Sequence, residues 1–202
     1  MKKVVLIFAF IVSNIIFAQN DKNFVDALVT QKMAELEMQA NPLYFYKMDY
    51  CEGAIQSFIL PEGERCTSSS TYYAVYVFWK DGEIMKFQKF DNCGSFMPFP
   101  ISFDRNMKKI LTDKQTLKSE KLKPYNKTRV NDLEQNCFID YKFVISGEKF
   151  EKSFKESDLD RNAKDKTSKY NNALHLIKID SEISEQLKVF EKNGKFIREK
   201  KK

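Results

Sequence analysis

The pattern of apolar and polar positions is strongest between residues 72 and 90. Residues 72–79, YYAVYVFW, form an unbroken aromatic and β-branched run, and the arm returning after Asp81-Gly82 alternates. Such residues pack well on a pleated surface, and Asp-Gly suits a two-residue turn whose central residues need positive φ. With that dipeptide as the turn, Lys80 faces Glu83, Trp79 faces Ile84, Phe78 faces Met85 and Tyr76 faces Phe87. The face of Tyr76, Phe78 and Phe87 is then the buried one, because Lys86 and Gln88 share the other with Val75 and Val77. So apolar an outward arm predicts a central strand, since an exposed edge of this composition would pair between molecules. Residues 137–154 repeat the pattern: with Ser146-Gly147 as the turn, Phe143 faces Phe150 and Ile139 faces Phe154, while Lys142 meets Glu151 on the wet face.

Helical periodicity appears first at 23–39, where Val25, Leu28, Val29, Lys32 and Leu36 lie on one stripe extending to Ala40, Asn23 is placed to cap and Asn41-Pro42 stops the run. Residues 43–50 and 54–60 read as strands joined through Cys51-Glu52-Gly53, and 61–71 as a Ser/Thr/Gly-rich loop. Residues 103–122 read as helix, broken where Thr112 and Gln115 have the spacing of a second capping box. Residues 157–172 are polar and read as a loop. For 173–192 two readings stay open: a strand to Ile179 and then a helix, or helix throughout, stopped in either case by Asn193-Gly194. The fold class is α+β: an antiparallel twisted sheet of about five to seven strands built from hairpins, packed by an N-terminal helix and one or two further helices.

Residues 1–18 change the compartment. Lys2 and Lys3 precede the apolar run 4–12, and Ile16-Phe17-Ala18 resembles a cleavage site before Gln19, so the segment reads as a secretory leader; it is shorter than the roughly 20 residues of a membrane span. Residues 19–194 then form one domain and 195–202 a basic tail that frays. Without the leader, 184 residues remain of 202 and the net charge falls from +6 to +4, too modest an excess to predict nucleic acid as a partner.

Export makes the four cysteines a disulfide set. The hairpin register puts Cys93 opposite Ser70, close to Cys66, which favours Cys66 with Cys93 and Cys51 with Cys137; Cys51 with Cys66 remains open. The chain has no Cys-x-x-Cys and one histidine, His175, which argues against a zinc centre.

Little chemistry is written in motifs. The chain lacks a nucleophile elbow, a phosphate-binding glycine loop, a His-Glu-x-x-His and a dinucleotide fingerprint, and six glycines leave little room for such loops. No cofactor is implied. Phe96, Met97 and Phe99, set among two prolines, are candidates for a binding groove. Lys108, Lys109, Lys114 and Lys118 head a run of nine basic residues between 105 and 129, against Asp113 and Glu120 alone, and are candidates for holding an acidic polymer or surface. Glu52, Asp91 and Asp140 fall near strand ends, where carboxylate sites form. The balance favours an exported, non-enzymatic binding or inhibitor-type module with a protein partner, such as a toxin or hydrolase of the periplasm; the alternatives are a small hydrolase using carboxylates and a protein held to anionic polymers by its basic segment.

Overall fold

The computed structural model describes residues 21–124, 136–159 and 165–200. The leader predicted at 1–18 and the end of the basic segment at 125–129 lie outside the described residues.

The order is α1 (Asp21–Met38), β1 (Leu43–Cys51), β2 (Ser57–Ile59), β3 (Arg65–Thr67), β4 (Tyr73–Asp81), β5 (Ile84–Asp91), β6 (Gly94–Ser95), β7 (Phe99–Ile101), α2 (Arg105–Thr112), α3 (Lys114–Ser119), β8 (Cys137–Ile145), β9 (Glu148–Lys155), a 3-10 turn (Glu156–Asp158), α4 (Lys166–Ala173) and α5 (His175–Lys192). The main sheet is antiparallel in the order β6-β5-β4-β1-β8-β9, with β7 also paired to β5. The fold is the α+β arrangement expected, and β4 lies inside the sheet.

Because side chains alternate along a strand, parity sorts the sheet into two faces. The even residues of β1 and their neighbours Val75, Val77, Trp79 and Val144 pack with Val25, Val29 and Leu36 of α1. The opposite face carries Phe45, Phe78, Phe87, Tyr141 and Phe143, packed with Met107, Ile110 and Leu111 of α2, Leu117 of α3 and Leu176, Ile179, Ile183 and Leu187 of α5.

Several local readings shift. The first hairpin turns at Gly82-Glu83, with Asp81 facing Ile84 and Phe78 facing Phe87. Gly82, at φ 61°, takes the first turn position where a β-carbon would be strained. The slip moves each partner by two residues, so every side chain keeps its expected face. The second hairpin has the register read from sequence, Phe143 with Phe150 and Ile139 with Phe154; Ser146 and Gly147 both adopt positive φ, as this turn requires.

Helix α1 is already formed at Asp21, so Asn23 is not its cap. The Asp21 carboxylate instead accepts from the backbone N–H of Ser69 and Ser70, at 2.7 and 2.8 Å, fastening the loop expected at 61–71. Residues 52–56 leave the sheet, and only 57–59 is extended there; its partner is β3, inside the stretch read as loop. Pro100 is tolerated in β7 because this short strand forms an edge. The helical break comes at Asp113, whose side chain caps α3 by accepting from Thr116 N at 3.1 Å. Residues 175–192 are helical throughout, because Leu176, Ile179, Asp180, Ile183 and Leu187 repeat at helical spacing under the sheet. Part of the expected loop at 157–172 is helix α4.

The tail is docked rather than frayed through Glu199. Met97 N–H donates to the Ile197 carbonyl at 2.8 Å and Glu199 N–H to that of Ser95 at 2.9 Å. Two disulfides close the structure: Cys51–Cys137 joins facing residues of β1 and β8, and Cys66–Cys93 ties β3 to the end of β5. Among the described residues no helix is long and apolar enough to cross a membrane.

Candidate functional site

The face covered by α2, α3 and α5 is not uniformly apolar. Along β1 its inward residues read Leu43, Phe45, Lys47, Asp49 and Cys51, so the face turns charged toward the disulfide. Neighbouring strands change in step: Lys47 lies beside Tyr76 of β4 and Tyr141 of β8, Tyr76 beside Lys89 of β5, and Ala74 beside Asp91. Helix α5 crosses this end and adds Asp180, Ser184 and Glu191.

Lys47 is the centre of the arrangement. Its side chain is 3% exposed, and a buried ammonium must be paired to remain charged. Its Nζ lies 2.8 Å from Asp180 Oδ1, donates to Ser184 Oγ at 2.8 Å and lies 3.2 Å from Asp49 Oδ1. The Tyr141 hydroxyl also donates to Asp180 Oδ1, at 3.0 Å. Asp49 Oδ1 is sealed from solvent and is held at 3.2 Å by the Lys47 ammonium, an ion pair without hydrogen-bond geometry. Burial, followed by the negative charges of Asp180 and Glu156, outweighs Lys47 and pushes the Asp49 carboxyl up to about 6. Burial likewise raises the Tyr76 hydroxyl, with Asp49 adding to it.

Lys47, Asp49, Tyr76, Asp180 and Ser184 line a cavity of about 430 Å³, within the range of small ligand sites, opening at the disulfide end between β1, β8 and α5. Its charged walls are Lys47 and Lys188 against Asp49, Glu156, Asp180 and Glu191, a net charge of −2 inside a basic chain. Tyr50, Tyr76 and Phe138 supply aromatic surface; Tyr50 stacks on Phe138 at 5.3 Å between ring centres.

No family model, no curated protein and no solved structure matches this chain. The functional reading therefore rests on the site itself.

The residues singled out from sequence do not fall in one place. Phe96 and Phe99 converge on Phe196 of the tail, at 5.8 and 6.3 Å, while Met97 points outward and is 47% exposed. Lys114 and Lys118 both hold Glu148, at 3.1 and 2.5 Å. Lys108 lines a small cleft with Leu43, Lys80 and Glu83, and Lys109 lies exposed in the last turn of α2. These lysines stand at the hairpin-turn end of the sheet, whereas Phe96 joins the strand near Lys89; the two groups do not form one site. Asp91 is fully buried and held by Arg198, through two bonds of 2.7 and 2.6 Å, by the Tyr72 hydroxyl at 3.0 Å and by Cys93 N–H. His175 and its neighbour belong to helix capping: the Glu120 carboxylate accepts from the backbone N–H of His175 and Leu176 and lies 3.0 Å from the imidazole Nδ1.

Sequence reasoning missed Lys47, Asp49, Lys89, Asp180 and Arg198. Parity held the signal for the first three, since Lys47 and Asp49 share the face of Phe45, and Lys89 that of Phe87. Asp180 sits on the apolar stripe of α5. For Arg198 there was no signal.

Proposed function

We propose that this chain is an exported, non-enzymatic binding module, acting in the periplasm or outside the cell, that restrains a protein partner by receiving one of its cationic side chains in the cavity beside Asp49. The observation carrying this reading is the Asp49 carboxylate on the cavity wall, whose contact with a cation among the described residues is the 3.2 Å ion pair to Lys47, an ammonium already bonded to Asp180 and Ser184. A carboxylate that shares one ammonium with two other acceptors gains from a further donor, and a lysine or arginine side chain entering the cavity brings one to Asp49, whose side chain is still 36% exposed. The net charge of the walls and the rings of Tyr50, Tyr76 and Phe138 favour the same guest. Two disulfides fit an oxidising compartment.

Calorimetric titration with N-acetyl-lysine methylamide and its uncharged norleucine counterpart tests this reading. The lysine compound should bind saturably, the norleucine compound should not, and Asp49→Asn should weaken the first by about tenfold. Equal binding of both compounds would remove the cation from the account.

A second reading has its own observation. A carboxyl near 6, beside other carboxylates, lies in the range suited to proton transfer, as a small hydrolase would need. Turnover in a screen of glycan, peptide and ester substrates, abolished by Asp49→Asn, would favour it over the binding reading.

A further inference from the structure

On the other side of Tyr76 lies a second cavity, of about 540 Å³, lined by Phe58, Ile59, Phe96, Phe196 and Ile197, with Lys89 and Arg198 among its polar walls and Glu191 exposed at its rim. Lys89 is 6% exposed. Among the described residues it has neither a carboxylate in ion-pair contact nor a hydrogen-bond acceptor. Aromatic rings surround its ammonium instead: Phe196 at 5.0 Å, Phe96 at 5.1 Å, Tyr76 at 5.8 Å and Tyr72 at 6.0 Å. Cation–π attraction offsets part of the lost hydration but leaves the N–H donors unused. The neighbouring cation, Arg198, is spent on Asp91 through the bidentate pair and stacks on Phe96 at 4.2 Å and Phe58 at 5.1 Å. The Lys89 ammonium, its pKa lowered by burial and supported by Asp91 and Glu191 only through space, is therefore left among apolar walls with no acceptor in contact.

We infer that this cavity is a binding site for a small amphipathic monocarboxylate, whose carboxylate accepts from Lys89 Nζ while its apolar body lies against Phe58, Ile59, Phe96 and Ile197. A monoanion matches the single free charge, whereas a dianion would be left half-neutralised and facing Glu191. The walls explain why the ligand is not a bare inorganic ion: Ile59 and Ile197 are 72% and 60% exposed and gain only from covering by an apolar chain. Phe96 belongs to this site; it comes from the segment that reads as a groove in the sequence, but its partners Phe196 and Arg198 come from the tail. Glu191 borders both cavities, but the inference does not rest on the cationic guest beside Asp49.

The test is calorimetric titration of the oxidised protein with octanoate, octanol and octylamine below their aggregation limits. Octanoate should bind saturably, with octanol and octylamine weaker by about tenfold or more. Lys89→Met keeps the length of the side chain and should cost octanoate about as much as losing its carboxylate. Ile59→Glu, at an exposed position on the rim, should weaken octanoate by repulsion without disturbing the fold, and decides the matter if Lys89→Met does not fold. Asp49→Asn should leave octanoate binding unchanged, which separates this site from the one beside α5. Octanol binding as tightly as octanoate, octanoate binding that survives Ile59→Glu, or the absence of saturable octanoate binding would overturn the inference.

Discussion

Lys47 shows how one residue can organise a candidate site. A lysine on the inward face of a central strand is tolerated only because Asp180, Ser184 and Asp49 surround it. Lys47→Met should take from the buried Asp180 carboxylate its ion pair with Lys47 and cost about 3–5 kcal/mol in denaturant unfolding, whereas Lys47→Met with Asp180→Leu should recover much of the loss; if the single change is silent, the pair contributes nothing. Asp49 makes a separate prediction through its raised carboxyl. Between its ordinary value of 3.8 and about 6 the folded chain holds a proton that the unfolded chain releases. The stability this contributes is full below that window and is lost as pH rises through it. Asp49→Asn should therefore gain on the parent protein from about pH 4 to about pH 7 when both are unfolded side by side; a constant difference would mean that the carboxyl is not raised. Neither role is announced by residue type alone. Lys47 reads as a polar interruption in LYFYKMDYC, and only the strand's parity places it inside.

At the scale of elements, the hairpins were the most legible. The 137–154 hairpin carries its register in Ser146-Gly147 and in the Phe143–Phe150 and Ile139–Phe154 pairs. In the 72–90 hairpin the turn slid by one position, because Gly82 serves better as the first turn residue than as the second. Faces survived the slip, so the core was readable although the partners were not. Helix α5 was ambiguous because Leu174, Leu176, Ile177 and Ile179 satisfy both periods over so short a stretch; its stripe becomes decisive only when Asp180 is admitted as an inward residue. The tail defeated sequence reading for a different reason. Arg198 is one cation among many in a lysine-rich end, and its pairing with Asp91 spans 107 positions. That pairing is testable: Arg198→Met strands a fully buried carboxylate and should cost about 3–5 kcal/mol, with hydrogen exchange accelerated first in β5 and β6. Unchanged stability would show that the tail rests on the sheet without holding it.

For the whole molecule, the disulfides and the two cores divide the work. Cys66–Cys93 spans 27 positions and Cys51–Cys137 spans 86, so chain-entropy arguments give about 3.5 and about 4.6 kcal/mol. The smaller ring lies within the larger, and the two contributions do not simply add. Typical domains hold about 5–15 kcal/mol in total, so the reduced protein should unfold at much lower denaturant than the oxidised one. Thiol titration of the denatured, unreduced chain should find no free cysteine, and four free thiols would overturn this part of the account. The candidate cavity depends on the same architecture, since Cys51 and Cys137 form part of its wall. Function was the least legible level, because the groups that form the cavity lie on β1, β4, β8 and α5 and only the topology brings them together.

The central claim is that the cavity beside Asp49 receives a cationic side chain. Its most direct test is a nitrogen–proton NMR titration of the oxidised protein with N-acetyl-arginine methylamide. Saturable shifts confined to residues 47–51, 137–139 and 180–191, and lost in Asp49→Asn, are predicted. Shifts spread over acidic surface residues, or unchanged in Asp49→Asn, would contradict it.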